Sequence, residues 1–506
     1  MSQPASATGN AGNAATAGAA TSANSAHQTG TQYLISISII GALFFIFGFV
    51  TWLNGALIPF LKLACDLQTD AQALFVTFAF YMAYFVLALP AAAILARTGY
   101  KRGMAIGLAA MAAGAALCIP AAYGRSFGLF LTALFIIGTG LAFLQTASNP
   151  YISIIGPLES AAKRISIMGI CNKTAGVIGA ALFTVLLLGG AKDIEPQVVA
   201  LGEKIVELNK TIATGTAKAN AAVDAAGAAV EALATAKATL AEVEAKRAAL
   251  LDALAQNVIK PYTVLAIILA LLAIGVLFSP LPEIDVEKSN ADDSAAAAGA
   301  AAGGSRKSIF SYPHLWLGVL CLFLYLGAEV MAGDAIGLYG KAMHVPTAKA
   351  GFLTSFTLGA MVVGYIGGII AIPRFIKQER ALAVCAVLGA LFTAGAYLTG
   401  GSTLTLFGWL PVSVLFVALL GLANSVMWPA IFPLAIAGLG KFTNLGSAFL
   451  IMAIAGGALI PQFYARSQDW FHINFQLAFL ICMLPCYCYV LYYALAGYKA
   501  GKAGRS

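Results

Sequence analysis

Long apolar runs recur along this chain from Tyr33 almost to its end, separated by short polar stretches. A helix needs about 20 apolar residues to cross a bilayer, and each run supplies roughly that many. The pattern predicts spans near 33–61, 72–95, 103–122, 127–155, 164–189, 261–280, 313–340, 350–372, 381–400, 409–437, 445–465 and 471–496. The runs are too long for strands of a membrane barrel and do not alternate as such strands do. Gly, Ala and Pro within many runs predict close helix contacts and local bends.

Two segments interrupt the pattern. Residues 282–310 are acidic, then rich in Ala and Gly, and end in Arg306-Lys307, so they read as a flexible cytoplasmic linker between six helices and six. In residues 191–260, Val198, Leu201, Ile205, Leu208 and Ile212 step by three and four, a helical stripe. After Gly215 an Ala-rich stretch with Val230, Leu233, Leu240, Val243, Leu250 and Leu254 continues as helix. This segment predicts a periplasmic two-helix hairpin, either a structural cap or a docking surface. Residues 1–31 lack the basic start and apolar run of a secretory signal and read as a disordered cytoplasmic tail.

The expected fold is therefore an all-α membrane protein with twelve transmembrane helices. Residues 32–190 carry helices 1–5, 261–281 carry helix 6, 311–497 form a C-terminal six-helix bundle, and 498–506 form a cytoplasmic tail. The halves echo each other. Ile167-Met168-Gly169-Ile170 before Ala175-Gly176 matches Ile451-Met452-Ala453-Ile454 before Ala455-Gly456-Gly457, and Asn149-Pro150 answers Trp428-Pro429. Two pseudo-symmetric bundles with a binding site between them are a common transporter plan.

Composition agrees. Of 506 residues 60% are hydrophobic and 10% charged, with a mean hydropathy of +0.87. A soluble enzyme or nucleic-acid binder could not hide that much apolar surface. The net charge of +8 becomes topology once placed. With both termini inside, fifteen Lys and Arg fall on cytoplasmic segments and five on short outer loops, the bias of the positive-inside rule. That orientation suits a multi-pass protein of the bacterial inner membrane. The eight Cys sit mostly in apolar stretches without metal-site spacing and read as small fillers.

Only three charges fall within spans: Lys173, Glu329 and Asp334. A charge at mid-bilayer costs about 2.5–3.5 kcal/mol on insertion scales, so each needs a wet cavity or a partner. Either Lys173 pairs with an acid to lock packing, or the three form an ion-responsive site, with Glu329 foremost. Residues five apart on a helix lie about 140° apart, so Glu329 and Asp334 face differently. Asn54, Gln145, Asn149, Asn172, Asn424 and Gln462 also lie within spans, and Trp52 and Trp428 sit deep. Carboxamides both donate and accept, which suits sugar hydroxyls. Amides and indoles with few charges point to a neutral polyhydroxy solute, whereas organic anions call for Arg.

Gly48-Phe49-Val50-Thr51-Trp52-Leu53-Asn54 with Leu57-Ile58-Pro59-Phe60, Leu144-Gln145-Thr146-Ala147-Ser148-Asn149-Pro150, and Gly421-Leu422-Ala423-Asn424-Ser425-Val426-Met427-Trp428-Pro429 resemble the fucose/glucose/galactose permease family of the major facilitator superfamily. The resemblance implies the major facilitator fold and a carrier that moves a hexose with a cation by alternating access. Its fucose members use an Asp in helix 1 and a Glu in helix 4; the matching positions here are Gly55 and Gln145, while an Asn of helix 5 is kept as Asn172. The loop signature between helices 2 and 3 survives as Arg97, Gly99, Lys101 and Arg102, with Ala96 at its acid. Gln145 resembles the glucose/galactose branch, and with Lys173 and Glu329-Asp334 the pattern also resembles permeases assigned to N-acetylglucosamine. Coupling by helix 7, or by sodium, is then expected.

The expected function is a monomeric secondary transporter of a neutral monosaccharide, coupled to H+ or Na+, with no other cofactor, no nucleic-acid partner and no catalysis. Asn54, Gln145, Asn149, Asn172, Asn424 and Trp428 are the candidate sugar contacts; Glu329, Asp334 and Lys173 are the candidate ion-coupling groups. An uncoupled facilitator and a transporter-like sugar sensor are the alternatives.

Overall fold

The computed structural model describes residues 30–154, 161–189, 191–221, 226–280, 308–372, 374–439 and 442–501. Among these residues twelve helices are long and apolar enough to span a membrane. Spans 1–5 are Leu34–Ala64, Asp70–Thr98, Tyr100–Tyr123, Phe127–Ser148 and Arg164–Leu188. Span 6 is Ile259–Phe278. Spans 7–12 are Pro313–Gly333, Thr347–Ala371, Gln378–Leu398, Val412–Ile436, Leu445–Phe471 and Phe475–Leu495. The predicted tail and central linker lie almost wholly outside the described residues.

Lipid is as apolar as the side chains facing it, so helices associate through close packing of small residues. Gly48 of span 1 lies so near span 5 that an added Cβ would stand 1.9 Å from the Asn172 carbonyl oxygen. Gly456 of span 11 meets the Phe323 carbonyl oxygen of span 7 at 1.8 Å by the same measure. Gly138 of span 4 approaches the Phe80 carbonyl of span 2, as Gly421 of span 10 approaches the Thr357 carbonyl of span 8. Pairs 1–5 and 2–4 thus recur as 7–11 and 8–10. The repeat read in the sequence is a repeat of contacts.

Several spans are interrupted, each for a local reason. In span 1 the ladder tightens at Leu53, whose N–H reaches Val50, and a new helix starts at Asn54. Span 10 breaks at Ser425-Val426, where Pro429 has no N–H to return to Ser425. Span 7 turns at Asp334-Ala335 and resumes as Ile336–Ala342. Carbonyls near that turn are taken up by span 8: Thr354 Oγ1 donates to Gly333 at 2.7 Å and Thr357 Oγ1 to Ala332 at 2.8 Å.

The insert is the expected pair of helices, Ala191–Ala221 and Ala226–Gln256. At 1.5 Å per residue each is about 46 Å long. The second runs through Asn257-Val258 almost directly into span 6. Val198, Val243, Leu251 and Leu254 are buried, so the apolar stripe covers the base of the hairpin. Before span 10 the described residues add to the all-α plan a two-residue antiparallel pairing of Thr405–Leu406 with Leu410–Pro411, which delays the span to Val412. All eight Cys are free, and five are buried.

The second hairpin helix docks on the N-terminal half. Arg247 grips Asp66 through Nη1 and Nη2, at 2.6 and 2.8 Å, and Arg125 meets Asp252 at 2.8 Å. The first helix reaches the C-terminal half, where Glu195 accepts from Lys341 at 3.1 Å and Thr347 at 2.5 Å. The Arg247 guanidinium holds the Asp66 carboxyl below its usual 3.8. Docking from this pair is therefore complete above that value and is lost as pH falls through the depressed one. Arg247→Gln is expected to raise hydrogen–deuterium exchange at the hairpin base a few-fold at pH 7, in line with about 0.2–1 kcal/mol for a partly exposed pair. In the wild type, exchange free energies there should not change between pH 7 and 5.

Candidate functional site

A hollow of about 110 Å³ lies between the halves, lined by residues of spans 1, 2, 4, 5, 7, 8, 10 and 11. It belongs to the half of the bundle away from the hairpin: Phe44 and Phe47 precede the break of span 1, Ile165 and Gly169 open span 5, and Pro429 follows the break of span 10. Its polar lining includes Thr51, Gln145, Asn172, Lys173 and Glu329, and its aromatic lining includes Trp52, Tyr81, Tyr84, Tyr325, Tyr365 and Trp428.

Charge is concentrated in one pair. Lys173 Nζ donates to Glu329 Oε1 at 2.5 Å, with side chains 10% and 5% exposed. The same ammonium sits 4.3 Å from the centre of the Trp52 ring, a cation–π contact that desolvation strengthens. Lys173 comes from span 5 and Glu329 from span 7, so the pair joins the halves. Asn172 is held next to it, its Nδ2 donating to the Phe44 carbonyl at 3.5 Å.

Several polar atoms of the lining are buried without a hydrogen-bond partner: Thr51 Oγ1, Trp52 Nε1, Gln145 Oε1 and the Tyr325 hydroxyl. Such groups cost about 1–3 kcal/mol each unless something satisfies them. The indole N–H can only donate, the amide oxygen can only accept, and the hydroxyls do both. A solute that satisfies this set must itself carry donors and acceptors, as a polyol does. The pair already neutralises itself, so the set does not ask for a charged ligand.

On the hairpin side the halves close into a seal. Tyr81 of span 2 donates to Asp334 Oδ2 at 3.0 Å, and Asp334 is fully buried. Ser355 of span 8 donates to the Val177 carbonyl of span 5 at 3.0 Å, and Gln462 of span 11 donates to the Ala71 carbonyl at 3.1 Å. A Cβ on Gly55 would meet Thr354 Oγ1 at 2.0 Å, so the seal leaves no room for a side chain there.

Gln145, Asn172, Trp428, Lys173 and Glu329 come together in the hollow as the sequence suggests. Three candidates do not. Asn54 is buried beyond the break of span 1, in the seal beside Asp334, which is likewise outside the hollow. Asn424 is turned toward span 12, where the Tyr487 hydroxyl donates to its Oδ1 at 3.0 Å. The side chain of Asn149 lies outside the described residues. The four tyrosines of the hollow were missed; their signal was a hydroxyl deep within an apolar span, where it needs a partner as much as an amide does.

Comparison with known proteins follows this geometry. Residues 40–192 match the Major Facilitator Superfamily. A glucose/galactose transporter of Brucella abortus biovar 1 is 33% identical over 94% of this chain and 97% of its own. The chain belongs to the fucose/glucose/galactose permease family of the major facilitator superfamily. Within that family, the L-fucose-proton symporter of Escherichia coli K12 is 27% identical over 93% of this chain and 94% of its own. The permease fold is the same as in a crystal structure of the major facilitator transporter FucP in the outward conformation. There the TM-score is 0.62 at 24% identity, covering 92% of this chain and 98% of that one.

Removing one partner of a buried pair strands the other charge, at about 3–5 kcal/mol. Glu329→Gln is therefore expected to lower the unfolding temperature of the purified protein markedly, and Lys173→Met combined with Glu329→Gln to recover most of the loss. A double variant no more stable than the single one would show that the two charges act separately.

Proposed function

We propose that this permease takes up one neutral hexose or amino-hexose with a cation, by alternating access of a single monomer across the bacterial inner membrane. The observation that carries this reading is the set of unpartnered donors and acceptors beside aromatic rings in the hollow. Hydroxyls of a pyranose satisfy such groups in both directions, and its C–H face packs on an indole. The family supports it, since the relatives above are a glucose/galactose transporter and an L-fucose-proton symporter.

The distribution of Lys and Arg supports cytoplasmic termini and an external hairpin. With that orientation the hollow lies toward the cytoplasm and the seal lies outside, an inward-facing arrangement. Sugar contacts are assigned to Gln145, Asn172 and Trp428, with Trp52 and the tyrosines completing the lining. The cation response is assigned to the acids of span 7, Glu329 balanced by Lys173 and Asp334 standing apart. Transport then needs only different affinities in the outward and inward states.

Gln145→Ala should abolish uptake while the protein still reaches the membrane; unchanged uptake would remove Gln145 from the site. Competition by glucose, galactose, fucose and N-acetylglucosamine against one labelled sugar should identify the substrate within this class. One observation favours a second reading, the uncoupled facilitator: Lys173 is a fixed internal counter-charge for Glu329. Energised vesicles, with and without sodium, separate the two, because a facilitator equilibrates sugar and never concentrates it.

A further inference from the structure

We propose that the coupling cation is a proton and that it binds Asp334, in the seal rather than in the sugar hollow, so that the hairpin end closes only over a neutral carboxyl. The proposal rests on the symport reading above and adds the ion, the residue and the step it controls.

Asp334 stands where span 7 turns, and no part of it reaches solvent. It receives one hydrogen bond, from Tyr81 to Oδ2. The Asn54 amide stands close against the carboxyl, but Asn54 Nδ2 and Asp334 Oδ1 do not meet in hydrogen-bond geometry, and neither has another partner. The titratable groups around it are Tyr81 of span 2, Lys173 of span 5 and Glu329 of its own span. Lys173, the cation among them, is committed to Glu329. That pair is close to neutral as a unit and leaves Asp334 without a counter-charge.

A lone carboxylate with one hydrogen bond is costly in a dry site, and a protonated carboxyl far less so. The cost makes the seal sensitive to the proton. With the hairpin end open, water reaches Asp334; a hydronium gives its proton to a carboxyl oxygen and leaves as water. The neutral group then enters the closed seal. Tyr81 lines the hollow and places its hydroxyl on Asp334, which makes it the exit. The carboxyl O–H breaks as its proton passes to the Tyr81 oxygen, and the proton Tyr81 already held passes to water in the hollow. The carboxylate left behind destabilises the seal and favours reopening. Sugar and proton thus use adjoining sites joined by one phenol.

The test uses the full chain in proteoliposomes. With Asp334→Asn, exchange of labelled sugar should persist, while accumulation driven by a proton gradient, proton uptake evoked by sugar, and dependence of uptake on external pH should all be lost. Tyr81→Phe keeps the ring and removes the relay; its loss should fall on kcat rather than KM, which also serves if Asp334→Asn does not assemble. Accumulation by Asp334→Asn with the wild-type pH profile overturns the proposal, as does wild-type accumulation that follows sodium and ignores pH. Wild-type turnover in Tyr81→Phe removes the relay. If the wild type moves no sugar at all, the symport reading fails first. If it moves sugar and Asp334→Asn keeps the proton signal, the assignment to Asp334 fails by itself.

Discussion

The ion pair between Lys173 and Glu329 is the interaction on which the arrangement of the halves depends. Lipid offers two apolar bundles no hydrophobic reason to prefer each other. What holds them in register is shape and the few polar links between them. A lysine inside span 5 must find an anion, and the anion stands on span 7 of the other half. Trp52 closes over the ammonium, and the added Cβ of a side chain at Gly333 would strike the same ring. The pair thus sits at the inner edge of the seal and in the wall of the hollow. Motion that opens one end and closes the other must turn about this region or exchange its contacts for equivalent ones.

Around that pair the polar groups divide by their distance from the hairpin. Toward the hairpin, donors and acceptors mostly meet across the halves: Ser355 with Val177, Gln462 with Ala71, Tyr81 with Asp334. Away from it, Thr51, Gln145 and Tyr325 keep buried atoms without protein partners. A site that binds and releases a polar solute has to leave such valences open, whereas a seal has to fill them. Within the seal the exceptions are Asp334 Oδ1, Asn54 Nδ2 and Gln462 Oε1, and of these Asp334 alone can carry a charge.

Much of this was legible in the sequence because membranes make charge and length expensive to get wrong. The twelve runs followed from hydropathy, the hairpin from its helical stripe, and the three intramembrane charges from their place within the runs. The contents of the hollow followed less well. Asn54 is two residues from Trp52, and a regular helix would set it roughly 200° away. The irregular turn at Leu53 and the restart at Asn54 decide instead that it meets Asp334. Asn424 precedes the break of span 10 and turns to Tyr487, while Trp428 beyond it lines the hollow. The phase of a broken helix depends on which neighbour takes up the freed carbonyls, and that neighbour is distant in sequence. The tyrosines were overlooked because a phenol counts as apolar in a hydropathy profile although its hydroxyl is not.

The hairpin has a mechanical consequence. Its second helix runs almost directly into span 6 and is tied by Arg247 and Asp252 to the N-terminal half, so the arm follows that half, while Glu195 touches the C-terminal half only at its base. At a length of about 46 Å, a tilt of about 10° sweeps its far end through about 8 Å, several times the displacement at the membrane surface. Such a pointer magnifies small rotations into distances that a pair of dyes can resolve. It also gives an otherwise featureless particle in a detergent belt a protrusion by which images can be aligned.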